Sequence, residues 1–266
     1  MQITEFPPSP ELATVIYSYY FIVKNHNDQE HIPPLGTPVL QFHLQNDLNR
    51  YFQNYPVELS PVMLVGQLTR YAKLETRGAV EMIGVNFHET AIFRLSDFPL
   101  HSIIDSATPG RHIFGSKVEN LFESLKSITD PDIRIARLNE FFCNVFRGKE
   151  TDHDRFDRLI AEIRKRNGNI TISQVCDLYA ASERTVERLF YKRVGISPKK
   201  YCIVIRHLHL MRLLHDKKTV TLAEILDECG YIDIPHFYKE FKKVSGVTPS
   251  AFFQADQRFA KNLLQL

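Results

Sequence analysis

Residues 171–201 read TISQVCDLYAASERTVERLFYKRVGISPKKY, and residues 221–252 read TLAEILDECGYIDIPHFYKEFKKVSGVTPSAF. The two segments align along their whole length once a single residue is inserted, so the chain contains an internal repeat. Thr171 matches Thr221 before the insertion, and the offset is one residue larger after it. This repeat decides the architecture of the C-terminal part of the chain.

Each copy of the repeat begins with a signal for the start of a helix. Thr171 is followed three residues later by Gln174, and Thr221 is followed by Glu224. In this arrangement the hydroxyl and the longer side chain satisfy two free backbone N–H groups reciprocally. We therefore predict a helix of about two turns in each copy. The apolar residues at helical spacing are Ile172, Val175 and Tyr179 in the first copy, and Leu222, Ile225, Leu226 and Cys229 in the second.

A tight turn and a second helix follow in both copies. Ser182 and Asp233 are good N-caps for the second helix, and Gly230 suits a left-handed cap at the end of the first. Gly195 and Gly246 end the second helices. One apolar stripe runs along each of them: Val186, Leu189, Phe190 and Val194 in the first copy, and Phe237, Phe241 and Val244 in the second.

A short helix, a tight turn and a helix with one apolar face form the helix-turn-helix pattern, whose second helix enters the major groove of DNA. The predicted recognition helices cover about residues 182–194 and 234–244. A generic helical bundle could show one such pair, but a duplicated pair with matched caps favours DNA binding. The side chains opposite the apolar stripes would then meet DNA: Glu183, Arg184, Glu187, Arg188, Tyr191 and Lys192, and His236, Lys239, Glu240, Lys242 and Lys243.

Residues 198–216 connect the two units and are predicted to form one helix, with Pro198 tolerated in its first turn. Such a helix would extend roughly 28 Å at 1.5 Å per residue. Because successive major grooves on one side of B-DNA lie about 34 Å apart, this connector can present two recognition helices to neighbouring grooves. Its predicted apolar face consists of Tyr201, Val204, Ile205, Leu208 and Met211.

The charge of the chain is divided unevenly between its halves. Residues 1–154 contain 13 Lys and Arg against 19 Asp and Glu, whereas residues 155–266 contain 20 against 12. A basic half joined to an acidic half suggests that one domain binds a polyanion while the other does something else. On charge alone, a solvated basic face explains the pattern equally well.

The second copy matches the pattern G-[FY]-x-[DS]-x-x-x-F-x-[RK]-x-F-K-x-x-x-G-x-[ST]-P-x-x-[FY]. The matching residues are Gly230, Tyr231, Asp233, Phe237, Lys239, Phe241, Lys242, Gly246, Thr248, Pro249 and Phe252. On these residues, the chain resembles the AraC/XylS family of bacterial transcription regulators over about residues 155–255. The resemblance implies a seven-helix DNA-binding domain, which we place at residues 155–260.

The resemblance also implies which side chains face the groove: Arg184, Glu187 and Arg188 in the first recognition helix, and His236 and Lys239 in the second. Arg188 can bind guanine O6 and N7 bidentately, and Glu187 can accept from a cytosine amino group. Ile234 and Pro235 cannot donate side-chain hydrogen bonds, so base reading by the second unit is predicted to be weaker or to use methyl contacts. The residues better placed for phosphates are Tyr191, Lys192, Lys242 and Lys243.

Residues 1–150 are predicted to form a mixed α+β domain. Strand-like runs occur at residues 16–23, 39–44, 62–65 and 81–87, and helical segments at residues 90–95, 117–127 and 133–147. By resemblance, this is where such regulators carry a sensing or dimerising domain, often a cupin-like β-barrel. The predicted fold class is an α+β domain followed by an all-α domain with two helix-turn-helix units joined by a linker helix.

The sequence disfavours several catalytic classes. The histidines of the acidic half lack H-x-H or H-E-x-x-H spacing, and no G-x-S-x-G elbow or glycine-rich phosphate loop occurs. A methyl-accepting DNA-repair protein would need an activated thiolate in this half, but residues 1–142 contain no cysteine. We therefore expect no enzymatic activity, no metal and no cofactor. The cysteines are interpreted as small buried apolar residues: Cys143, Cys176, Cys202 and Cys229.

These observations favour a transcription regulator that binds double-stranded promoter or operator DNA, with a small-molecule effector in its N-terminal domain. One alternative is a DNA-binding protein whose acidic half only forms a homodimer or contacts RNA polymerase. Another is an interaction scaffold with no role on DNA. The start of the chain, with acidic Glu5 and Glu11, does not read as a secretory signal, and the apolar run at residues 15–23 is too short to span a bilayer. We therefore expect a cytoplasmic protein.

Overall fold

The computed structural model of the protein describes residues 2–24, 28–45, 48–52, 55–56, 60–76, 78–96, 98–149, 154–216 and 221–254. The strands are β1 (Gln2–Phe6), β2 (Ile16–Lys24), β3 (Asp28–Ile32), β4 (Val39–Gln45), β5 (Leu48–Phe52), β6 (Tyr55–Pro56), β7 (Val62–Val65), β8 (Ala72–Thr76), β9 (Val80–Phe87) and β10 (Ala107–Pro109). The helices are α1 (Ala91–Leu95), α2 (Arg111–Phe114), α3 (Lys117–Ser127), α4 (Pro131–Phe146), α5 (Arg155–Lys165), α6 (Ile172–Tyr179), α7 (Glu183–Arg193), α8 (Pro198–Asp216), α9 (Leu222–Glu228), α10 (Ile234–Ser245) and α11 (Pro249–Gln254), with short 3-10 helices at Pro10–Leu12 and Leu100–Ile103.

The strands form two antiparallel sheets. The larger sheet has the order β1-β2-β9-β4-β7-β10, and the smaller sheet has the order β3-β8-β5-β6. In the centre of the larger sheet, Gly84 lies opposite Tyr20 on one side and Gln41 on the other. The ring of Tyr20 crosses Gly84 so closely that a Cβ there would lie 2.0 Å from a ring atom. Only glycine therefore fits at this position.

The two faces of the larger sheet have different partners, because successive side chains of a strand point to opposite faces. Tyr19, Phe42 and Ile83 share one apolar core with Leu125 of α3 and Phe142 of α4. Residues of the other face form a second, smaller cluster: Tyr20, Ile22, Val39, Val80 and Met82. The helices therefore cover one face of the sheet and leave the other to line the inside of the N-terminal domain.

The four predicted strands occur as β2, β4, β7 and β9, and the three predicted helices correspond to α1, α3 and α4. The helix α4 begins two residues earlier than predicted, since the Asp130 side chain accepts hydrogen bonds from the backbone of Asp132 and Ile133. The smaller sheet was not predicted from the sequence. Its strands read DQEHI for β3 and LNRYF for β5, and neither shows the alternation of apolar and polar residues that identifies a strand.

Both predicted helix pairs are present, α6 with α7 and α9 with α10, and both capping boxes form. The Thr171 hydroxyl accepts from the Gln174 backbone at 3.2 Å, and the Gln174 side chain accepts from the Thr171 backbone at 3.0 Å. Thr221 and Glu224 repeat this arrangement at 3.2 Å and 2.7 Å. The sequence prediction of two helix-turn-helix units is confirmed.

The turns and stops of the two units also follow the sequence. Ser182 accepts from the backbone of Thr185, and Asp233 accepts from the backbone of His236 at 2.7 Å. The predicted glycines have positive φ angles: Gly195 at 97°, Gly230 at 66° and Gly246 at 80°. In the first unit, Ala180 takes the left-handed conformation that Gly230 takes in the second.

The connecting helix α8 is buried on more faces than its sequence indicates. The predicted apolar face is buried, and so are His207 and Leu210. The N-terminal domain supplies this cover, since the Tyr71 ring meets His207 at a centroid distance of 5.6 Å and Gly36 lies against Ile205. Burial lowers the pKa of His207 to about 3, so its ring is neutral near pH 7. The helix α8 therefore joins the two units and also anchors them to the other half of the chain.

A buried ion pair joins the two halves beside α8. Glu89, which follows β9, pairs with Arg164 of α5 and accepts a hydrogen bond from Tyr201 of α8 at 2.7 Å. Burial alone would raise the pKa of Glu89, but the Arg164 guanidinium and the hydrogen bonds it accepts hold the pKa below its usual value. Burial raises the pKa of Tyr201, which keeps it a neutral donor. A second ion pair, between Arg94 and Asp157, lies between the same two parts of the chain.

We expect Glu89→Gln to lower the free energy of unfolding by about 3–5 kcal/mol at pH 7, because Arg164 would keep a buried charge without its partner. Urea unfolding followed by circular dichroism measures this. The matched control is Glu140→Gln, which breaks an exposed ion pair with Arg137 on α4. The control should cost less than about 1 kcal/mol.

The same pair of proteins gives a pH test. Since the folded-state pKa of Glu89 is depressed, its contribution is complete above the unfolded pKa of about 4.3 and is lost as the pH falls through the folded-state pKa. The difference in stability between the wild type and Glu89→Gln should therefore be largest near neutral pH and narrow below about pH 4. A difference that stays constant with pH would contradict this account of the ion pair.

Candidate nucleic-acid interface

The helix α7 has two faces of different character. Val186 and Phe190 are fully buried and pack in the core that α5, α6 and α8 share. The opposite face is exposed to solvent and carries the residues that the sequence predicts to contact DNA: Arg184, Glu187, Arg188, Tyr191 and Lys192. Because residues three or four apart share a helix face, these five side chains form one exposed stripe.

One further cation of α7 has a structural role. Arg193 pairs with Asp154, the N-cap of α5, and its guanidinium lies 5.2 Å from the ring centroids of both Phe93 and Phe156. Asp154 itself closes a capping box with Asp157. These contacts fix the C-terminal end of α7 against α5 and the N-terminal domain.

The helix α10 repeats this design with a different surface. Asp233 caps it, and Phe237 and Phe241 are buried against α8. Lys239, Lys242 and Lys243 are exposed, and His236 is half-buried with its Nε2 atom 3.7 Å from Glu240. Of the two predicted base-reading residues in this unit, Lys239 is thus exposed and His236 is partly packed against its own helix.

The sequence prediction that Glu240 faces DNA was wrong. Its side chain is only 8% exposed, and its carboxylate lies 3.4 Å from Arg206 of α8. Arg206 also donates to the carbonyl of Gly168 and stacks over the Tyr231 ring. Glu240 lies at the edge of the stripe that packs on α8, so its charge is used to hold α10 to the linker.

An exposed apolar group lies at the start of α10; the sequence analysis named Ile234 in it but missed Ile232 and Tyr238. Ile232 is 89% exposed in the turn, and Ile234 and Tyr238 are 45% and 40% exposed on the helix. Apolar side chains in a major groove contact the methyl group of thymine. The signal in the sequence was Ile232 itself. The rest of the turn is Gly230, Tyr231 and Asp233, and an isoleucine is not needed to form the turn.

The exposed cations of the recognition helices are not neutralised by neighbouring acids. In the ranges that the structure describes, no carboxylate lies within the ion-pair limit of 4.0 Å from any of Arg184, Arg188, Lys192, Lys239, Lys242 and Lys243. A cluster of unpaired cations attracts phosphate, and releasing counterions from DNA drives such binding. Both recognition helices therefore present a surface suited to a polyanion.

The N-terminal domain contains a second group of candidate residues on the inner face of its larger sheet. Gln41 lies opposite Met63 and Gly84, and Ser18 shares the face of Tyr20, two residues along β2. Ser18 and Gln41 are both buried, and Ser18 Oγ and Gln41 Oε1 find no hydrogen-bond partner within the described part of the protein. Buried polar atoms are normally satisfied, so this face is suited to a polar ligand.

The described residues contain neither a cluster of metal ligands nor a membrane-spanning helix. Among the residues whose placement is given, no three His, Cys, Asp or Glu side chains come together as metal ligands. No helix in the same ranges is both long and apolar enough to cross a membrane. Cys202 and Cys229 are buried as predicted, whereas Cys143 and Cys176 are only partly buried.

Two family models match the chain. Residues 175–255 match a helix-turn-helix domain, and residues 4–109 match a domain of unknown function named DUF6597. The first match contains both recognition helices. The second covers the strands from β1, which it includes in part, to the end of β10.

Known proteins resemble the chain in part. The transcriptional regulator GbdR of Pseudomonas aeruginosa is 29% identical over 80 residues, and the transcriptional activator RhaR of Escherichia coli is 29% identical over 79 residues. Each match covers 30% of this chain, but only 22% of GbdR and 28% of RhaR. The chain therefore matches less than a third of the length of these relatives.

The solved structure of an apo variant of ToxT from Vibrio cholerae resembles the chain over almost its full length. It covers 89% of this chain and 97% of ToxT, with a TM-score of 0.50 and 12% sequence identity. At this identity the likeness concerns the fold alone. The predicted fold class, a sheet-containing domain followed by a tandem helix-turn-helix domain, is confirmed.

Proposed function

We propose that this chain is a sequence-specific DNA-binding transcription regulator of the AraC type, in which residues 175–255 match a helix-turn-helix domain. One observation carries the proposal: the chain repeats a capped helix pair, and each recognition helix buries an apolar stripe and exposes unpaired cations on the other side. Neither a scaffold nor a generic helical bundle requires that combination twice. We assign residues 155–260 to DNA binding and residues 1–150 to sensing or dimerisation.

The exposed side chains divide between reading bases and holding phosphates. We assign base reading to Arg184, Glu187, Arg188, His236 and Lys239, and phosphate contacts to Tyr191, Lys192, Lys242 and Lys243. In the second unit, Ile232 joins the base-reading group because an exposed isoleucine can pack on thymine methyl groups. The first unit would therefore recognise hydrogen-bonding groups, and the second would depend more on shape and methyl contacts.

The N-terminal domain touches both units, which supports control of DNA binding by that domain. Gly195, at the end of α7, lies against the backbone of Leu100. The backbone N–H of Tyr71 donates to the carbonyl of Val244 in α10 at 2.9 Å. A change in the N-terminal domain can therefore alter the relative orientation of the two recognition helices.

We infer that a small polar effector binds at the inner face of the larger sheet, where Ser18 and Gln41 offer unsatisfied buried oxygens. The short segment between β7 and β8 carries Tyr71, so this face is close in sequence to the contact with α10. Two recognition helices in one chain can cover neighbouring grooves without a second copy. A homodimer and a contact with RNA polymerase would therefore serve regulation. Since we propose DNA as the partner, we also propose a cytoplasmic location.

Selection of binding sites from random duplex DNA with the full-length protein tests the proposal directly. We expect two short sequence elements about one helical turn apart, because the two recognition helices enter neighbouring major grooves. The more strongly defined element should belong to the first unit. Recovery of no enriched sequence would refute sequence-specific binding.

Replacing Arg188 by Ala should cost about 1–3 kcal/mol in binding to the selected site and relax the base preference at one position. The reason is the loss of a bidentate contact to guanine. Electrophoretic mobility shifts with a set of single-base variants of the site measure both effects. Arg137→Ala removes an exposed cation from α4 and should change neither affinity nor preference. Unchanged specificity in Arg188→Ala would remove Arg188 from base reading.

Replacing Lys243 by Ala should weaken binding to every DNA sequence by a similar factor. It should also reduce the slope of log affinity against log salt concentration by about one, since one phosphate contact is lost. Fluorescence anisotropy at several salt concentrations gives the slope. Lys117→Ala on α3 is the matched control and should leave the slope unchanged. A loss confined to the selected sequence would contradict a phosphate role for Lys243.

A thermal-shift screen of sugars, amino acids and small carboxylates tests the effector site. A ligand present at a hundred times its Kd stabilises the folded state by about 2.7 kcal/mol, which raises the Tm by about 5–10 °C for a chain of this size. Gln41→Leu should abolish the shift, whereas Gln45→Leu at the exposed end of the same strand should retain it. No shift across the screen would favour the alternative in which the acidic half only dimerises or contacts polymerase.

A further inference from the structure

A side chain in the middle of the linker helix joins the two helix-turn-helix units. The Nη2 atom of Arg206 donates to the carbonyl oxygen of Gly168, in the first unit, at 3.2 Å. Its Nη1 atom lies 3.4 Å and 3.5 Å from the two carboxylate oxygens of Glu240 on α10. We propose that Arg206 is a positioning residue that fixes the spacing between the two DNA elements that the protein accepts.

The apolar cores of the two units are separate, and Arg206 lies at the boundary between them. Ile205 of α8 packs in the core of the first unit, and Leu208 packs in the core of the second. Apolar contact is non-directional, so packing within each core defines the angle between the units less sharply than hydrogen bonds between them do. A directional contact at this boundary therefore determines how the two recognition helices are oriented.

The loop between α5 and α6 brings the first unit against the second. Gly168 has a φ angle of 71°, and a Cβ at this position would collide with the carbonyl oxygen of Cys202 on α8. The absence of a side chain thus lets the loop approach α8 until the Gly168 carbonyl reaches Arg206. The next residue, Asn169, lies against Gly230 in the turn of the second unit. The two units therefore touch each other directly beside the Arg206 guanidinium.

The chemistry of Arg206 suits a directional contact. A guanidinium is planar and its N–H groups point in fixed directions, unlike those of a lysine ammonium. The Cζ atom also lies 5.5 Å from the ring centroid of Tyr231, in the turn before α10. The side chains of Arg206 and Glu240 are only 12% and 8% exposed, so water screens their attraction weakly. One group therefore holds the loop of the first unit, the turn of the second unit and α10 in place.

The contact acts on DNA recognition through α10, so this inference rests on the proposed function. Glu240 lies on the same helix as the exposed Lys239, and its carboxylate is 3.7 Å from the Nε2 atom of His236. One extra base pair between two DNA elements moves the second by about 3.4 Å along the axis and rotates it by about 35°. Units held at a fixed angle cannot follow this movement, whereas units that pivot can. Arg206 therefore predicts a strict preference for one spacing.

The test compares the selected DNA site with versions in which its two elements are one base pair closer together or farther apart. Fluorescence anisotropy with the full-length protein gives a Kd for each, and the ratio of these constants is the readout. The wild type should bind the altered spacings about tenfold or more weakly, because both units cannot engage at once. The double variant Arg206→Met/Glu240→Leu should lower this ratio to about threefold or less, because its units can pivot.

The double variant separates positioning from stability. Replacing a buried ion pair by apolar residues of similar size often leaves stability unchanged, so the protein should fold. Val175→Ala is the control with the opposite pattern. Val175 is fully buried in the core of the first unit, so this change should lower the free energy of unfolding but retain the wild-type ratio.

A second variant, Glu240→Gln, removes the charge alone and should lower the ratio in the same direction. Because His236 also lies beside Glu240, the absolute affinity can change in both variants, and only the ratio between spacings is compared. A double variant that discriminates between spacings as strongly as the wild type would refute the proposal. Equal loss of affinity at every spacing would refute it too, since that is the result of a purely structural role.

A measurement without DNA separates this inference from the proposed function. Tyr191 and Tyr238 are exposed on α7 and α10, and p-acetylphenylalanine placed at both positions takes a nitroxide label without labelling the four native cysteines. Double electron–electron resonance should give a broader distance distribution in the double variant than with Arg206 and Glu240 present. If no DNA sequence is selected, the proposed function fails, and a broader distribution still supports the positioning role. An unchanged distribution would refute that role.

Discussion

Glu89 and Arg164 come from opposite halves of the chain and pair where little water reaches them. Two charges buried in this way are stable only while they remain together, because either one alone would lose its hydration without compensation. The end of β9 and the helix α5 are therefore held at a fixed separation. Since α5, α6, α7 and α8 share one core, this contact fixes the position of the whole first helix-turn-helix unit relative to the sheet. The place of α7 beside the N-terminal domain depends on the same constraint.

The sequence predicted what local chemistry determines and missed what distant contacts determine. The capping pair Thr171 and Gln174, and its repeat in the second unit, involve residues three positions apart, so their pattern is visible in a single segment. The burial of His207 depends on Tyr71, 136 positions away, so the spacing of apolar residues within α8 does not indicate it. Glu240 was misjudged for the same reason, since its partner Arg206 lies on another helix. The exposed faces of the recognition helices were predictable, whereas the packing of the end of α7 against Leu100 of the N-terminal domain was not.

The two units share a fold but expose different chemistry. The first exposes Arg188 and Glu187, the two residues to which we assign base reading by hydrogen bonds. The second uses Glu240 to hold α10 to the linker and exposes Ile232 in the turn before α10. The two copies of this supersecondary structure therefore pack in the same way but differ in the residues that they expose.

The enclosure of α8 bears on how a protein of this design can be assembled. Leu210 lies in an apolar cluster to which Leu35 and Tyr71 of the N-terminal domain contribute, and His207 contacts the Tyr71 ring. A C-terminal half transplanted onto an unrelated partner would carry an open apolar strip along its middle. The two halves therefore cannot readily be exchanged for domains of other proteins. A gene fusion that separated them would also need to supply a complementary surface for this strip.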